Sequence, residues 1–100
     1  MTFEEFHRTV KETAQYNTMN RVVYPALGLA GETGEAVDII KKTIRHGGVA
    51  HELGKRELDM KLELGDVLWY WCNLVHDLDF DPAELLKMNY DKLRERYKTT

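Results

Sequence analysis

Apolar residues recur along this chain with the spacing of amphipathic helices, and the alternating pattern of strands is weak. The spacing predicts four helices, over about residues 2–16, 24 or 25–46, 55–78 and 82–97, with a loop at 47–54. Helices joined by short connections are typical of an all-α bundle. We therefore expect residues 1–100 to form one domain, a four-helix bundle.

Three of these helix boundaries carry local signals. Thr2 and Glu5 have the spacing of a capping box at the start of the first helix. Asp81 followed by Pro82 combines an N-cap with proline at the first helical position, which predicts the start of the fourth helix. The Gly47-Gly48 pair predicts the end of the second.

The third helix is unusual because apolar residues surround most of its circumference. A helix that is apolar nearly all round is buried, so its one polar stripe should face a polar network, a ligand or metal ions. A solvated acidic face is the alternative. The stripe carries Glu63, Asp66, Tyr70 and Asn73, and the apolar positions are Leu64, Val67, Leu68, Trp69, Trp71, Cys72, Leu74 and Val75.

Three glycines recur at every third position of the second helix. A glycine in a helix interior lowers helix stability by about 1 kcal/mol relative to alanine. We therefore expect a structural or functional reason for Gly28, Gly31 and Gly34. One interpretation is that they allow a neighbouring helix or a ligand to approach closely. The other is that the helix starts later, near Thr33, and the glycines lie in a loop.

The main candidate chemistry lies in two pairs of carboxylates. Glu32 with Glu35, and Glu63 with Asp66, are each three residues apart, which puts both members of a pair on one helix face. If the two helices face each other, four carboxylates converge. At about 5 Å and an effective dielectric of about 20, each like-charge pair costs about 3 kcal/mol, so such a cluster requires protons or cations. Hard oxygen ligands suit Mg²⁺, with Mn²⁺ as the alternative.

The fourth helix offers a cationic complement. Asn89, Lys92 and Arg96 follow one face of it and could bind phosphate oxygens beside a metal-loaded acidic cluster. The alternative is a solvated helix end whose cations complement the helix dipole.

Composition narrows the class of protein. The formal net charge is −3, so no general basic field attracts nucleic acid or an acidic membrane surface. The longest apolar stretch is too short to span a bilayer, and the acidic start of the chain does not resemble a signal peptide. Cys72 is the only cysteine, so no intrachain disulfide can form. We expect a cytoplasmic protein that binds neither nucleic acid nor membrane.

Chain length also bears on assembly. One hundred residues provide little chain to cover a helix that is apolar nearly all round. A second subunit could bury it, so we expect dimerisation to complete the bundle.

Two sequence phrases resemble a known family. Gly31-Glu32-Thr33-Gly34-Glu35, followed by Glu63-Leu64-Gly65-Asp66-Val67-Leu68, resembles the ExxE–gap–ExxD signature of the MazG-like all-α nucleoside triphosphate pyrophosphohydrolases. The closing Asn89-x-x-Lys92-Leu93-x-x-Arg96-Tyr97 fits the same resemblance, which covers about residues 24–97.

This resemblance implies a function. It implies Mg²⁺-dependent hydrolysis of nucleoside or deoxynucleoside triphosphates to the monophosphate and pyrophosphate, in nucleotide-pool cleansing or control, by a homodimer or homotetramer. The residues it assigns are Glu32, Glu35, Glu63 and Asp66 as metal ligands and catalytic groups, with Asn89, Lys92 and Arg96 binding phosphate.

The sequence gives weaker support for a base pocket and for other functions than for the acidic pairs. Trp69, Tyr70 and Asn73 could contact a nucleobase, but aromatic residues at helical spacing more often belong to a core. A catalytically inactive helical module that binds a protein partner is the alternative function, and a structural metal-binding bundle without turnover is a third.

Overall fold

The computed structural model describes residues 1–45 and 54–98, and within these ranges it is helical, with no strand. The all-α prediction is therefore confirmed for the described residues. Two 3₁₀ turns, Val10–Glu12 and Thr18–Asn20, lie between the first and second α-helices. The α-helices are α1 (Phe3–Thr9), α2 (Val23–Arg45), α3 (Glu57–Asp77) and α4 (Pro82–Arg96).

Both predicted N-terminal caps are present. The hydroxyl of Thr2 accepts a hydrogen bond from the Glu5 N–H at 3.1 Å and donates to the Glu5 carboxylate at 3.0 Å. A carboxylate oxygen of Asp81 accepts from the Ala83 N–H at 3.0 Å, and Pro82 stands at the first turn of α4. These side chains satisfy N–H groups that the helix itself leaves unpaired, which fixes where α1 and α4 begin.

The predicted extent of the first helix is wrong. α1 ends at Thr9, and residues up to 16 are not α-helical. The Thr9 hydroxyl donates to the carbonyl of Phe6 at 3.2 Å and so offers the backbone a local alternative to the helix. Further on, the Tyr16 hydroxyl donates to the Asp77 carboxylate at 2.7 Å, a contact across the fold that the local sequence cannot show.

The other predicted boundaries agree with the structure within two residues wherever they can be compared. α2 starts at Val23, slightly earlier than expected, and α3 starts at Glu57, slightly later. The predicted end of the second helix at His46, and the loop after it as far as residue 53, lie outside the described residues.

The α2–α3 pair is the main packing contact of the described chain. The two helices run antiparallel, since Gly28 of α2 lies against Tyr70 of α3 while Glu32 lies near Glu63. α1 and the first 3₁₀ turn pack against α3 as well. The buried apolar residues of the described chain include Val10, Pro25, Ala36, Cys72 and Val75.

A buried polar network at the end of α3 fixes the segment that leads into α2; we call it the Asp77 network. The Asp77 side chain is 2% exposed and pairs with the ammonium of Lys11. It also accepts from the Tyr16 hydroxyl and from the Val22 N–H at 3.1 Å, while Arg21 donates to the Asp77 carbonyl at 3.1 Å. Val22 has φ 68°, a conformation that a β-branched residue adopts only when its surroundings impose it.

The pKa of Asp77 reflects this network. Burial alone would raise it, but the hydrogen bonds from Lys11, Val22 and Tyr16, together with the Lys11 charge, outweigh burial and lower the pKa. The ionised carboxylate therefore holds the turn before α2 against the end of α3.

The single chain leaves much apolar surface uncovered. Leu64 and Leu68 of α3 are 52% and 38% exposed, so the expectation of a helix buried all round is wrong for one chain alone. α4 has no extensive contact with the other described elements. The radius of gyration is 16.5 Å, compared with about 13 Å for a compact domain of this length. Among the described helices, none combines the length and hydropathy that crossing a bilayer requires.

Candidate metal and active site

Three of the four predicted carboxylates meet between α2 and α3. Glu32, Glu63 and Asp66 each offer one oxygen, and these oxygens all lie within 4.8 Å of one another. Glu63 and Asp66 are one turn apart on α3, and the antiparallel packing brings Glu32 of α2 opposite them. Glu32 and Glu63 are half-buried and Asp66 is exposed, so the group, which we call the acidic cluster, opens to solvent on one side.

The acidic cluster lacks hydrogen-bond donors. One oxygen of Glu32 and one of Glu63, Oε2 in each case, are shielded from solvent and have no hydrogen-bond partner within residues 1–45 and 54–98. Ionised carboxylates are acceptors only, so two of them in contact cannot satisfy each other. A shared proton or a cation between them removes this conflict.

The closeness of these carboxylates raises the pKa of Glu32. The hydrogen bond that a protonated Glu32 forms with Glu63 is the largest cause, followed by burial and by the charges of Glu35, Glu63 and Asp66. Together they raise the pKa of Glu32 to about 7. Without a cation, the cluster therefore binds a proton close to neutral pH.

The ligand atoms of the acidic cluster fit a hard divalent cation. They are carboxylate oxygens, with neither thiolate nor imidazole among the three residues. Such donors suit small oxygen-seeking ions, and a positive charge between Glu32 and Glu63 would occupy the position where both buried oxygens lack a partner.

The fourth predicted carboxylate stands beside the cluster. Glu35 is one turn after Glu32 on α2, is exposed, and is not among the residues whose oxygens converge. Its charge still contributes to the raised pKa of Glu32, one helical turn away.

The glycines of α2 are helical, so the interpretation that placed them in a loop is wrong. Within the described residues, only one of the three has a close neighbour. The ring of Tyr70 lies where a Cβ of Gly28 would be, whereas a Cβ at Gly31 or Gly34 would meet no described atom within 4 Å. The close approach predicted for these glycines is thus confirmed at Gly28.

The polar groups of two predicted base-binding residues have protein partners. Asn73 is fully buried, donates to the Trp69 carbonyl at 3.0 Å and accepts from the Tyr16 hydroxyl at 3.3 Å. The Trp69 indole N–H donates to the Thr13 hydroxyl at 2.7 Å. Tyr70 is half-buried against Gly28. A base-binding role for Trp69, Tyr70 and Asn73 stays a prediction.

The predicted phosphate-binding residues are not brought to the acidic cluster within one chain. Asn89, Lys92 and Arg96 are all exposed on α4. Since α4 has no extensive contact with α2 or α3, the packing of these helices does not hold the three side chains against Glu32 and Glu63.

Sequence reasoning missed the Asp77 network altogether. The available signal was Asp77 itself, an acidic residue that follows the apolar stretch ending at Val75. The partners Lys11 and Tyr16 are more than 60 positions away in sequence, so a single sequence could not identify them.

The family model for the MazG nucleotide pyrophosphohydrolase domain matches residues 25–100, which include α3, α4 and all but the first two residues of α2. The chain belongs to this family. Gene 37 protein of Mycobacterium phage L5 is 36% identical over 73 residues, which are 73% of this chain and 63% of that protein. The MazG-like chain thus spans less than two thirds of the length of this relative. No solved structure matches it significantly.

Proposed function

We propose that this protein hydrolyses nucleoside or deoxynucleoside triphosphates to the monophosphate and pyrophosphate, with Mg²⁺ or Mn²⁺ bound by the acidic cluster. The observation that carries the proposal is the pair of partnerless buried oxygens of Glu32 and Glu63, with Asp66 beside them. In a domain of the MazG family, this is the position where a cation would resolve an electrostatic conflict that the protein leaves open.

Glu32, Glu63 and Asp66 would hold the metal. Bound Mg²⁺ would supply positive charge to the phosphate oxygens and would lower the pKa of a water molecule. Glu35 is exposed, lies one turn from Glu32 and stays outside the converging group, so we assign it to accept the proton of the attacking water.

Phosphate binding is the proposed role of α4. Asn89, Lys92 and Arg96 would hold phosphate oxygens and stabilise the negative charge that develops in the transition state. Because α4 stands apart from the acidic cluster of its own chain, we propose that the α4 of a second copy supplies these residues.

Exposed apolar surface supports a homodimer, with a homotetramer of paired dimers as the larger form. Phe3, Leu64, Leu68 and Trp71 line an open apolar groove on α1 and α3, which Leu86 of α4 extends. Further apolar side chains are exposed on α4, at Met88, Tyr90 and Leu93, and directly after it at Tyr97. A symmetric partner would bury both surfaces, and small domains commonly gain the core they lack in this way.

We further propose that the protein acts in the cytoplasm, on the nucleotide pool. Cys72 is free and buried, and burial raises the pKa of its thiol to about 11. A reduced structural thiol of this kind is compatible with a reducing compartment.

A Glu→Gln pair of variants tests the proposed activity. Glu63→Gln keeps the size of the side chain but removes a metal ligand, so it should abolish pyrophosphate release from a panel of NTPs and dNTPs with Mg²⁺. The matched control is Glu57→Gln on the same helix, an exposed residue whose ion pair with Lys61 spans 2.9 Å. The control should keep full activity, because exposed ion pairs contribute little to stability.

The remaining outcomes discriminate between the functions. Full hydrolysis by Glu63→Gln would refute the site. If the wild-type protein binds Mn²⁺ but hydrolyses no nucleotide, the structural metal-binding bundle is the better account. If it neither binds metal nor turns over, the partner-binding module is favoured.

A further inference from the structure

We propose that the contact between Gly28 and Tyr70 is a positioning device for the acidic cluster, an inference that rests on the proposed metal-dependent function. The ring of Tyr70 against the bare α-carbon of Gly28 would set how closely α2 and α3 approach, and therefore how closely Glu32 approaches Glu63 and Asp66. Neither Gly28 nor Tyr70 touches the metal in this proposal.

The contact leaves no room for a side chain at Gly28. A Cβ built there would lie 2.6 Å from the Tyr70 Cζ and closer still to Cδ1 and Cε1. All three atoms belong to the rigid ring, so no flexible end of a side chain could simply bend away. Either the ring must leave its place or the two helices must separate.

The ring has little freedom to leave. It lies perpendicular to the indole of Trp69, with ring centroids 5.0 Å apart, and the centroid of the Tyr24 ring is 6.2 Å away. Tyr24 stacks on Tyr16 at 4.8 Å, and Tyr16 is hydrogen-bonded to Asp77. This row of aromatic rings connects the position of Tyr70 to the Asp77 network, so helix separation is the expected response to a Cβ at Gly28.

The contact lies one helical turn from the acidic cluster on both helices. Gly28 is four residues before Glu32, and Tyr70 is four residues after Asp66, which is about 6 Å along each helix axis. A displacement at Gly28 would therefore reach the carboxylates almost undiminished. Metal–ligand distances tolerate only about 0.2 Å, so a shift of helix position should weaken metal binding markedly.

The other glycines of α2 provide a matched control. A Cβ at Gly31 would meet no atom of the described residues within 4 Å, although Gly31 is on the same helix and directly precedes Glu32. Gly28→Ala and Gly31→Ala make the same chemical change and give the same gain in helix propensity. Only Gly28→Ala collides with a ring, so any difference between the two variants reports on the contact.

The experiment measures the Mn²⁺ affinity of the metal-free protein by calorimetric titration. Gly28→Ala should bind Mn²⁺ at least tenfold more weakly than wild type, while Gly31→Ala should stay within about twofold of wild type. Tyr70→Ala, which removes the ring instead, should also weaken binding. The double variant Gly28→Ala/Tyr70→Ala should bind more tightly than Gly28→Ala, because the collision is gone.

Other results would refute either the positioning role or the metal site itself. If Gly28→Ala binds Mn²⁺ as wild type does, or if the effects of the two single changes simply add, the positioning role is wrong and the metal site stands. If Gly28→Ala does not fold, wild-type affinity in Tyr70→Ala would still refute the role. If the wild-type protein binds no Mn²⁺, the metal centre itself falls and this inference falls with it.

Discussion

At the level of single residues, the acidic cluster holds carboxylates close together, where their negative charges repel each other. Glu32 and Glu63 each have one oxygen shielded from solvent, and neither oxygen has a hydrogen-bond donor in the part of the chain that the structure describes. Native proteins rarely leave buried polar atoms unsatisfied, and the exceptions call for a functional explanation. A bound cation provides such an explanation, because it would remove the repulsion between the two carboxylates and coordinate both oxygens.

Metal binding should therefore stabilise the folded protein. A ligand that binds only the native state at 100 times its dissociation constant adds about 2.7 kcal/mol to the free energy of unfolding. We expect an increase of that order for the wild type in urea unfolding with saturating Mg²⁺ or Mn²⁺. Glu63→Gln should lose this increase while folding normally. An equal increase in Glu63→Gln would place the metal elsewhere.

The Asp77 network makes a separate prediction about pH. The folded-state pKa of Asp77 lies below its ordinary value of 3.8, so the network contributes stability above that pH. The contribution is lost as the pH falls through the lower, folded-state pKa. Asp77→Asn should therefore destabilise the protein at pH 7, and the difference from wild type should shrink in the acid range below the ordinary pKa.

The size of the Asp77→Asn effect and its control follow from burial. Breaking a fully buried pair costs roughly 3–5 kcal/mol, and we expect about 2 kcal/mol here, because the Lys11 side chain is 31% exposed and can be hydrated. Asp91→Asn is the matched control, since Asp91 pairs with Lys87 at an exposed site and its loss should change stability by under about 1 kcal/mol. Urea unfolding between pH 3 and pH 7 measures both, and a pH-independent difference would contradict the account.

Residue patterns predicted the acidic cluster better than its surroundings. Helical spacing put Glu63 and Asp66 on one face, and the polar stripe on an otherwise apolar helix indicated that this face meets a neighbour. The spacing could not show that Glu35 stays outside the converging group, because one turn of α2 separates it from Glu32 and only the crossing of α2 and α3 decides which carboxylate is nearer.

At the scale of elements, the cores of the helices were predictable and the segment between α1 and α2 was not. Long apolar periodicity defines α2, α3 and α4 locally, and the Asp81 cap fixes the start of α4. Residues 10–22 take their shape from Asp77, far away in sequence, so tertiary contacts override local helix propensity there.

The separation of α4 from the acidic cluster leads to a prediction about shared active sites. If α4 of one chain serves the carboxylates of its partner, Glu63→Gln and Lys92→Ala should each be inactive alone. Mixed after dissociation and reassociation, they should form heterodimers with one intact site. With random pairing, about half of the dimers are heterodimers, and each has one intact site out of two. The mixture should therefore show about a quarter of the activity of the same amount of wild type.

Two results would test that arrangement further. Mixing Glu63→Gln with a second carboxylate variant, Glu32→Gln, should restore nothing, because both defects lie on the same helix pair. If the Glu63→Gln and Lys92→Ala mixture also stays inactive although heterodimers are shown to form, each chain completes its own site and our assignment of α4 to the partner is wrong.

At the scale of the whole molecule, the exposed apolar surface of α3 and α4 is the dominant feature. The radius of gyration of the chain exceeds that of a compact domain of its length. Association would therefore bury apolar area that one chain leaves exposed. Sequence pattern indicated that α3 needs to be covered on every side, but the pattern cannot say whether the covering surface belongs to the same chain or to another.

A charge placed on this surface should dissociate the oligomer. Leu68 of α3 is 38% exposed and lines the apolar groove, so Leu68→Glu would bury an unpaired charge in an interface there. We expect sedimentation analysis to show a dimer or larger form for wild type and a monomer for Leu68→Glu. Met19→Glu, at a residue 89% exposed in the second 3₁₀ turn, should leave the assembly intact. A monomeric wild-type protein would contradict the proposed dimer.

³¹P NMR identifies the products that the purified protein forms from nucleoside triphosphates with Mg²⁺, and so tests the proposed reaction directly. We expect wild type to yield the nucleoside monophosphate and pyrophosphate, and Glu63→Gln to yield neither. Orthophosphate and the nucleoside diphosphate from wild type would show cleavage at the other anhydride bond and would contradict the pyrophosphohydrolase assignment.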